Sequence, residues 1–203
     1  MLAGQLPVLL LTPYFGSQYV GWWSMALLLG FIPVNMVSRS IYQVLYQYTT
    51  ERVNEQLAIG PYFRRFTWGV LLVGVPVFAA LFCIMPWLTT LFLGDGWEMT
   101  STYLRWMLPW LLSSILTAST GFLADIFMKQ KVGFWFELFT AFLRVVGVVL
   151  GIVLADFSVA ILCYSVGTAI AVTAQYMWLI SLVKRYDAQI SVTNDGRADD
   201  NEK

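Results

Sequence analysis

The chain has 203 residues, of which 59% are hydrophobic and 12% charged, with twelve basic residues, twelve acidic residues and no histidine. Soluble domains carry roughly 25% charged residues, so this composition excludes an ordinary water-soluble domain, and zero net charge offers nucleic acid no basic surface. Two cysteines without histidine supply few ligands for a transition metal, and we expect no metal, no cofactor and no catalytic residues.

Six apolar stretches are predicted to cross a membrane. No charged residue occurs in residues 2–38 or 66–93, and a bilayer core of about 30 Å needs about 20 apolar residues per helical crossing. The predicted spans are residues 2–14, 19–46, 66–93, 102–127, 132–154 and 157–183. We therefore expect an all-α integral membrane protein of about six transmembrane helices, with the helical membrane unit in residues 1–185.

Basic residues occur in every second connection between these spans. They are Arg52, Arg64 and Arg65, then Lys129 and Lys131, and finally Lys184 and Arg185 after the last span. The positive-inside rule predicts that these connections and the C-terminus lie in the cytoplasm. Residues 186–203 are polar and acidic and are predicted to form a disordered cytoplasmic tail.

The fifth span carries a polar stripe at helical spacing, formed by Glu137, Thr140 and Arg144 and continued by Gly147 and Gly151. A guanidinium at the bilayer centre costs at least about 2.5 kcal/mol, so Arg144 should face protein or a hydrated cavity. Two interpretations remain open: an internal ion pair with Glu137, about 10 Å away along the helix axis, or a lining position in a cavity. The two glycines favour a close helix contact.

Other spans present polar stripes of their own. Asn35, Arg39 and Gln43 share a face of the second span, and Thr168 and Gln175 share one of the sixth. Arg39 either extends to the membrane interface or lines a cavity. Together the stripes predict a hydrated cavity of positive character, suited to phosphate or pyrophosphate because a guanidinium pairs with two oxygens at once. The candidate substrate-binding residues are Arg39, Glu137, Thr140, Arg144 and Gln175.

Short sequence motifs stand in an order that resembles a known family. They are LPVLLLTPYFGSQYVGWWSMALLLGFIPVNMVSRSIYQVLYQ, then LFLGDGW followed by YLRWMLPWLL, then MKQK. This order is similar to the C-terminal half of bacterial polysaccharide flippases of the O-antigen or capsule type, members of the multidrug/oligosaccharidyl-lipid/polysaccharide exporter superfamily. The resemblance extends from about Leu6 to Arg185.

The resemblance implies a twelve-helix exporter-type fold of two lobes, of which this chain supplies one. It also implies that undecaprenyl-pyrophosphate-linked oligosaccharide crosses the bacterial inner membrane between the lobes by alternating access. The expected partners are this lipid-linked oligosaccharide, membrane lipid, and either an N-terminal lobe or a second copy of the chain. The chain would then be a truncated reading frame, a split subunit or a fragment.

Two other functions remain open at this point. One is an ion-coupled small-molecule exporter of the same superfamily, and the other is a noncatalytic membrane scaffold. An enzyme is disfavoured, because membrane enzymes gather His, Asp or Glu at a water interface and this chain has no histidine. The glycan and the coupling ion are not specified by the sequence.

Overall fold

The computed structural model describes the backbone of residues 2–201 and the side chains of residues 7–8 and 10–192. Seven helices and no strand occupy the described backbone, which confirms the all-α prediction. The helices are α1 (Leu2–Phe15), α2 (Ser17–Asn54), α3 (Gly60–Leu93), α4 (Glu98–Thr120), α5 (Leu123–Ile126), α6 (Gln130–Val153) and α7 (Phe157–Asn201).

Five segments of the described chain are long and apolar enough to cross a membrane: Ser17–Asn54, Gly60–Leu93, Glu98–Ile126, Gln130–Val153 and Phe157–Val192. The first of the six predicted spans is helical as well. However, the 14 residues of α1 reach only about 21 Å at 1.5 Å per residue, less than the thickness of a bilayer core. The prediction of spanning length is therefore confirmed for five helices.

The helix α4 lies at the centre of the bundle. It packs against α2, α3 and α7, whereas α6 packs against α7 on the far side and α1 touches α2 and α6. In the most apolar 18-residue stretch of the Glu98–Ile126 span 67% of residues are buried, compared with 6% in the corresponding stretch of α3. Most of the surface of α3 therefore faces away from the other helices. Its near-continuous apolar sequence suits contact with lipid.

The contact between α6 and α7 is made by glycine. A Cβ on Gly151 would lie 2.1 Å from Ala160 Cβ, and one on Gly147 would lie 2.7 Å from the backbone nitrogen of Tyr164. No side chain fits at either position, so the two helices approach backbone to backbone. The predicted close helix contact is confirmed.

At the end of the bundle opposite the basic connections, α2 is tied to the α3–α4 connection. Trp22 donates from Nε1 to the carbonyl of Gly96 at 2.9 Å, and Thr100 donates from Oγ1 to the carbonyl of Trp22 at 3.1 Å. Tyr19 contacts the rings of Trp22 and Phe157 nearby. These contacts hold α2, α4 and α7 together at that end.

At the other end, α2, α3 and α7 continue beyond their predicted spans and share a second apolar cluster. The carboxylate of Asp187 accepts hydrogen bonds from the backbone N–H groups of Ile59 and Gly60, at 2.9 and 2.7 Å. Tyr186 lies against the ring of Phe127. The helix α7 continues through Asn201, and these contacts fix its course at the point where the predicted tail begins. The disorder predicted for residues 186–203 stays a prediction, and residues 202–203 lie outside the described backbone.

Candidate substrate cavity

A groove of about 280 Å³ opens between α2, α4, α6 and α7. It arises because α6 packs on α7 and leaves a gap to α2 and α4. Polar residues from all four helices line it: Asn35, Ser114, Thr117, Glu137, Thr140, Arg144 and Gln175. Four of the five residues predicted from the sequence, namely all except Arg39, therefore meet in one place.

The groove lies in the half of the bundle nearer the basic connections. Its α4 lining comes from the last turns of that helix, between Ser114 and Ala118, and its α6 lining from the middle of that helix, between Glu137 and Arg144. The end of α4 leads through α5 to Lys129, and α6 begins beside it with Lys131 in its first turn. The contacts of Trp22 described above lie at the opposite end of the bundle.

Arg144 is held by α7. Its Nε donates to Thr168 Oγ1 at 3.2 Å, and its Cζ lies 5.5 Å from the centroid of the Tyr164 ring. A cation above an aromatic face at this distance is attracted by the ring quadrupole. Within the described side chains the terminal nitrogens of Arg144 make no hydrogen bond, so the guanidinium fork can still bind two oxygens of an anion.

Glu137 pairs with an amide rather than with a cation. Its Oε1 accepts a hydrogen bond from Gln175 Nε2 at 3.3 Å. Among residues 7–8 and 10–192 no ion pair joins Glu137 to Arg144, whose Nε is bonded to Thr168. The internal ion pair that the sequence left open is therefore not formed, and both groups face the groove.

The hydroxyl groups of the groove are used mainly for packing. Thr140 is 4% exposed and donates from Oγ1 to the carbonyl of Phe136 at 2.8 Å. Thr117 donates to the carbonyl of Val172 at 3.0 Å, which ties α4 to α7. Thr140 therefore presents only the lone pairs of its hydroxyl to the groove, because its proton is already used.

Arg39 lies outside the groove. It is exposed on α2 and does not line the cavity, although Asn35, one helical turn earlier, does. One turn of helix is about 5.4 Å, and it carries Arg39 toward the basic end of α2. The groove is lined by one guanidinium instead of the two that the stripes suggested, because the stripe on α2 is longer than the groove.

Sequence reasoning missed Tyr164 and Ser114. Tyr164 precedes Thr168 by four residues, so it belongs to the same face of α7 and could have been found from that spacing. Ser114 lies beside Ser113, and only the packing shows which of the two faces the groove. No group of three or more His, Cys, Asp or Glu side chains gathers anywhere among the side chains that the structure describes.

Comparison with known proteins matches the first half of the chain to a family. A family described as polysaccharide biosynthesis protein matches residues 1–102, just over half of the chain. The matched segment covers α1, α2, α3 and the beginning of α4, whereas Glu137, Arg144 and Gln175 lie beyond it. No curated protein and no solved structure matches the chain.

Proposed function

Because the chain belongs to the polysaccharide biosynthesis protein family, we propose that it carries out the membrane step of that process. In this proposal it translocates an undecaprenyl-pyrophosphate-linked oligosaccharide across the bacterial inner membrane. The observation that supports it most is the polar groove, which contains a guanidinium whose terminal nitrogens pair with no side chain among residues 7–8 and 10–192.

Arg144 would bind the pyrophosphate. Its Nε donates to Thr168, and its guanidinium lies over the ring of Tyr164. The side chain is therefore already ordered and would lose little conformational freedom when it binds an anion. Hydrogen bonds to charged groups contribute about 1.5–3 kcal/mol each. A lipid-facing arginine at this depth would be costly, and a site for an anionic head accounts for its position.

Glu137 and Gln175 would bind the sugar. Their hydrogen bond, at 3.3 Å, leaves one carboxylate oxygen and the amide oxygen as acceptors toward the groove. Sugar hydroxyls donate to such acceptors, and Asn35 on the opposite wall can add both a donor and an acceptor. The head group would thus be held between a cation and a set of neutral or acidic hydrogen-bonding groups.

A second lobe would close the groove. The exposed face of α2 carries Asn35, Arg39 and Gln43, and hydrocarbon cannot satisfy this polar stripe. An N-terminal lobe, or a second copy of this chain, would cover the stripe and complete the cavity. Rocking of the two lobes would then expose the cavity alternately to each side, with the basic connections and the C-terminus in the cytoplasm.

Complementation tests this proposal. A strain that lacks its polysaccharide flippase would express the chain alone, or together with a candidate N-terminal lobe, and surface polysaccharide would be measured. We expect export only with the N-terminal lobe, unless two copies of the chain form a dimer that supplies both lobes, and in either case we expect Arg144→Ala to abolish most of it. Arg65→Ala, an exposed arginine outside the groove, is the matched control. Normal export by Arg144→Ala at normal abundance contradicts the proposal.

A second candidate is an ion-coupled small-molecule exporter. The exposed carboxylate of Glu137, whose partner is the neutral amide of Gln175, is an observation that favours it, because such a carboxylate can attract a protonated amine. Efflux of cationic dyes by cells that express the chain would support this function. Efflux that is lost in Glu137→Gln, together with unchanged surface polysaccharide, would favour the exporter over the flippase.

A further inference from the structure

The seam between α3 and α7 is joined at two levels, near the basic end of the bundle. At one level Asp187 accepts hydrogen bonds from the N–H groups of Ile59 and Gly60. At the other, the hydroxyl groups of Thr67 and Tyr176 lie 2.5 Å apart. Between these levels a cavity of about 450 Å³ opens between the two helices.

Two cations line this cavity from opposite walls. Arg64 projects from α3 and Lys184 from α7, and both side chains are exposed. Arg64 lies between Gly60 and Thr67, and Lys184 between Tyr176 and Asp187, so the two occupy the same interval of the seam. Neither is in an ion pair with any side chain that the structure describes, and both oxygens of Asp187 already accept backbone hydrogen bonds.

The local charge is strongly positive. Arg65 and Arg185, the next residues along each helix, are exposed as well. Each of the two helices therefore carries a pair of exposed cations beside the cavity, and Arg64 and Lys184 are the members of these pairs that line it. Like charges at this density repel each other unless an anion lies between them.

The floor of the cavity is apolar. Phe63 and Val183 are 1% exposed each and line it together with Ile180. Trp68 stands at its rim with 68% of its surface exposed, as tryptophans do at the boundary between lipid and water. Beyond Trp68 the exposed apolar face of α3 continues through Leu72.

We propose that this cavity binds the head group of an anionic phospholipid. The phosphodiester would lie between Arg64 and Lys184, the glycerol backbone against Trp68, and the acyl chains along the exposed face of α3. Basic cavities between membrane helices are suited to such head groups. A free phosphate would satisfy the two cations but would leave the exposed apolar surface of Trp68 and Leu72 uncovered, whereas a lipid covers both. The proposal goes beyond the function proposed above and does not depend on it.

Lipid binding can be measured on the purified full chain in detergent, by native mass spectrometry and by thermal unfolding. The probes are phosphatidylglycerol, phosphatidylcholine and inorganic phosphate. We expect retained adducts with phosphatidylglycerol and a rise in Tm of about 2–4 °C. We expect neither effect with phosphatidylcholine or with phosphate at the same concentration.

A matched pair of variants separates the cavity from general surface charge. In the double variant Arg64→Gln with Lys184→Gln, binding of phosphatidylglycerol should weaken about tenfold or more, since two charge-assisted contacts are lost. The double variant Arg65→Gln with Arg185→Gln removes the same charge from neighbouring residues that do not line the cavity, and it should bind within about twofold of wild type. The exchange Arg64→Lys with Lys184→Arg keeps both charges and should retain the adducts.

Equal loss of binding in the two Gln double variants would overturn the proposal, because it would mean diffuse attraction to the basic surface. Displacement of phosphatidylglycerol by inorganic phosphate would overturn it in favour of a free-anion site. A third measurement needs no change of charge. Brominated phosphatidylglycerol should quench a component of the tryptophan fluorescence that is missing in Trp68→Phe, and quenching that is identical in both proteins would also overturn the proposal.

Discussion

Arg144 on α6 donates from Nε to the hydroxyl of Thr168 on α7, at 3.2 Å. This hydrogen bond joins the two helices whose backbones meet at Gly147 and Gly151, one and two turns further along α6. The glycine contact fixes the distance between the helices, and the hydrogen bond then orients the guanidinium toward the groove. A rigid helix contact and a candidate binding group are thus parts of one arrangement.

The first prediction concerns Arg144 itself. In a complete transport system, Arg144→Ala should reduce export of polysaccharide about tenfold or more, while the amount of protein in the membrane stays nearly unchanged. Arg144→Lys should retain part of the export, because it keeps the charge but loses the fork. Export is measured as surface polysaccharide and abundance by immunoblot. A fall in abundance that matches the fall in export would instead assign Arg144 a role in folding.

The second prediction is that Glu137 and Arg144 act independently. They form no ion pair in the described part of the chain, and their partners are Gln175 and Thr168 respectively. The changes in unfolding free energy caused by Glu137→Gln and Arg144→Gln should therefore add within about 0.5 kcal/mol in the double variant. Thermal unfolding of the four proteins in detergent tests this. Restoration of wild-type stability and full export by the double variant would show that an ion pair forms after all.

The third prediction concerns the contact between α6 and α7. Gly151→Leu should destabilise the protein by about 1–3 kcal/mol or more, since the new side chain would overlap the Cβ and backbone of Ala160. Gly69→Leu is the control, because a Cβ at Gly69 on α3 meets nothing within 4 Å. The readout is the Tm of each purified variant. Equal Tm values for the two variants would contradict the backbone contact.

The fourth prediction concerns the seam between α3 and α7. Asp187→Ala removes the acceptor for the N–H groups of Ile59 and Gly60, and loss of such a cap costs about 0.5–2 kcal/mol. Limited proteolysis should then cleave the connection between α2 and α3 faster than in wild type. Glu55→Ala, an exposed acid in the same connection, should leave the rate unchanged. Unchanged cleavage in Asp187→Ala would mean that other contacts hold the seam.

The fifth prediction concerns topology. In a background without Cys83 and Cys163, Asp95→Cys and Asp156→Cys should react with an impermeant thiol reagent added from outside the cell, and Gln130→Cys should not. All three positions are exposed, so accessibility depends only on the side of the membrane. The positive-inside rule gives this expectation. Labelling of Asp95→Cys from the cytoplasmic side only would reverse the topology.

Much of the fold could be predicted from local features. A helix that crosses the bilayer needs apolar side chains over a fixed length. Long runs without charge therefore predicted the five helices of spanning length. The stripe of Glu137, Thr140 and Arg144 follows from helical spacing alone, and the structure places all three in the groove. The hydrogen bonds of Asp187 could not be predicted from the sequence, because its partners Ile59 and Gly60 lie 128 and 127 residues earlier in the chain.

The sequence by itself determined five helices of spanning length and the polar stripes on α2, α6 and α7, because both properties depend on residues within one segment of the chain. Only the tertiary structure decided which polar faces meet. Arg39 lies outside the groove, and Arg144 donates to Thr168 instead of pairing with Glu137. Arg64 and Lys184 line one cavity. The physical reason is that these relationships depend on the rotation and crossing of helices far apart in the chain, which side-chain packing fixes and helical spacing does not.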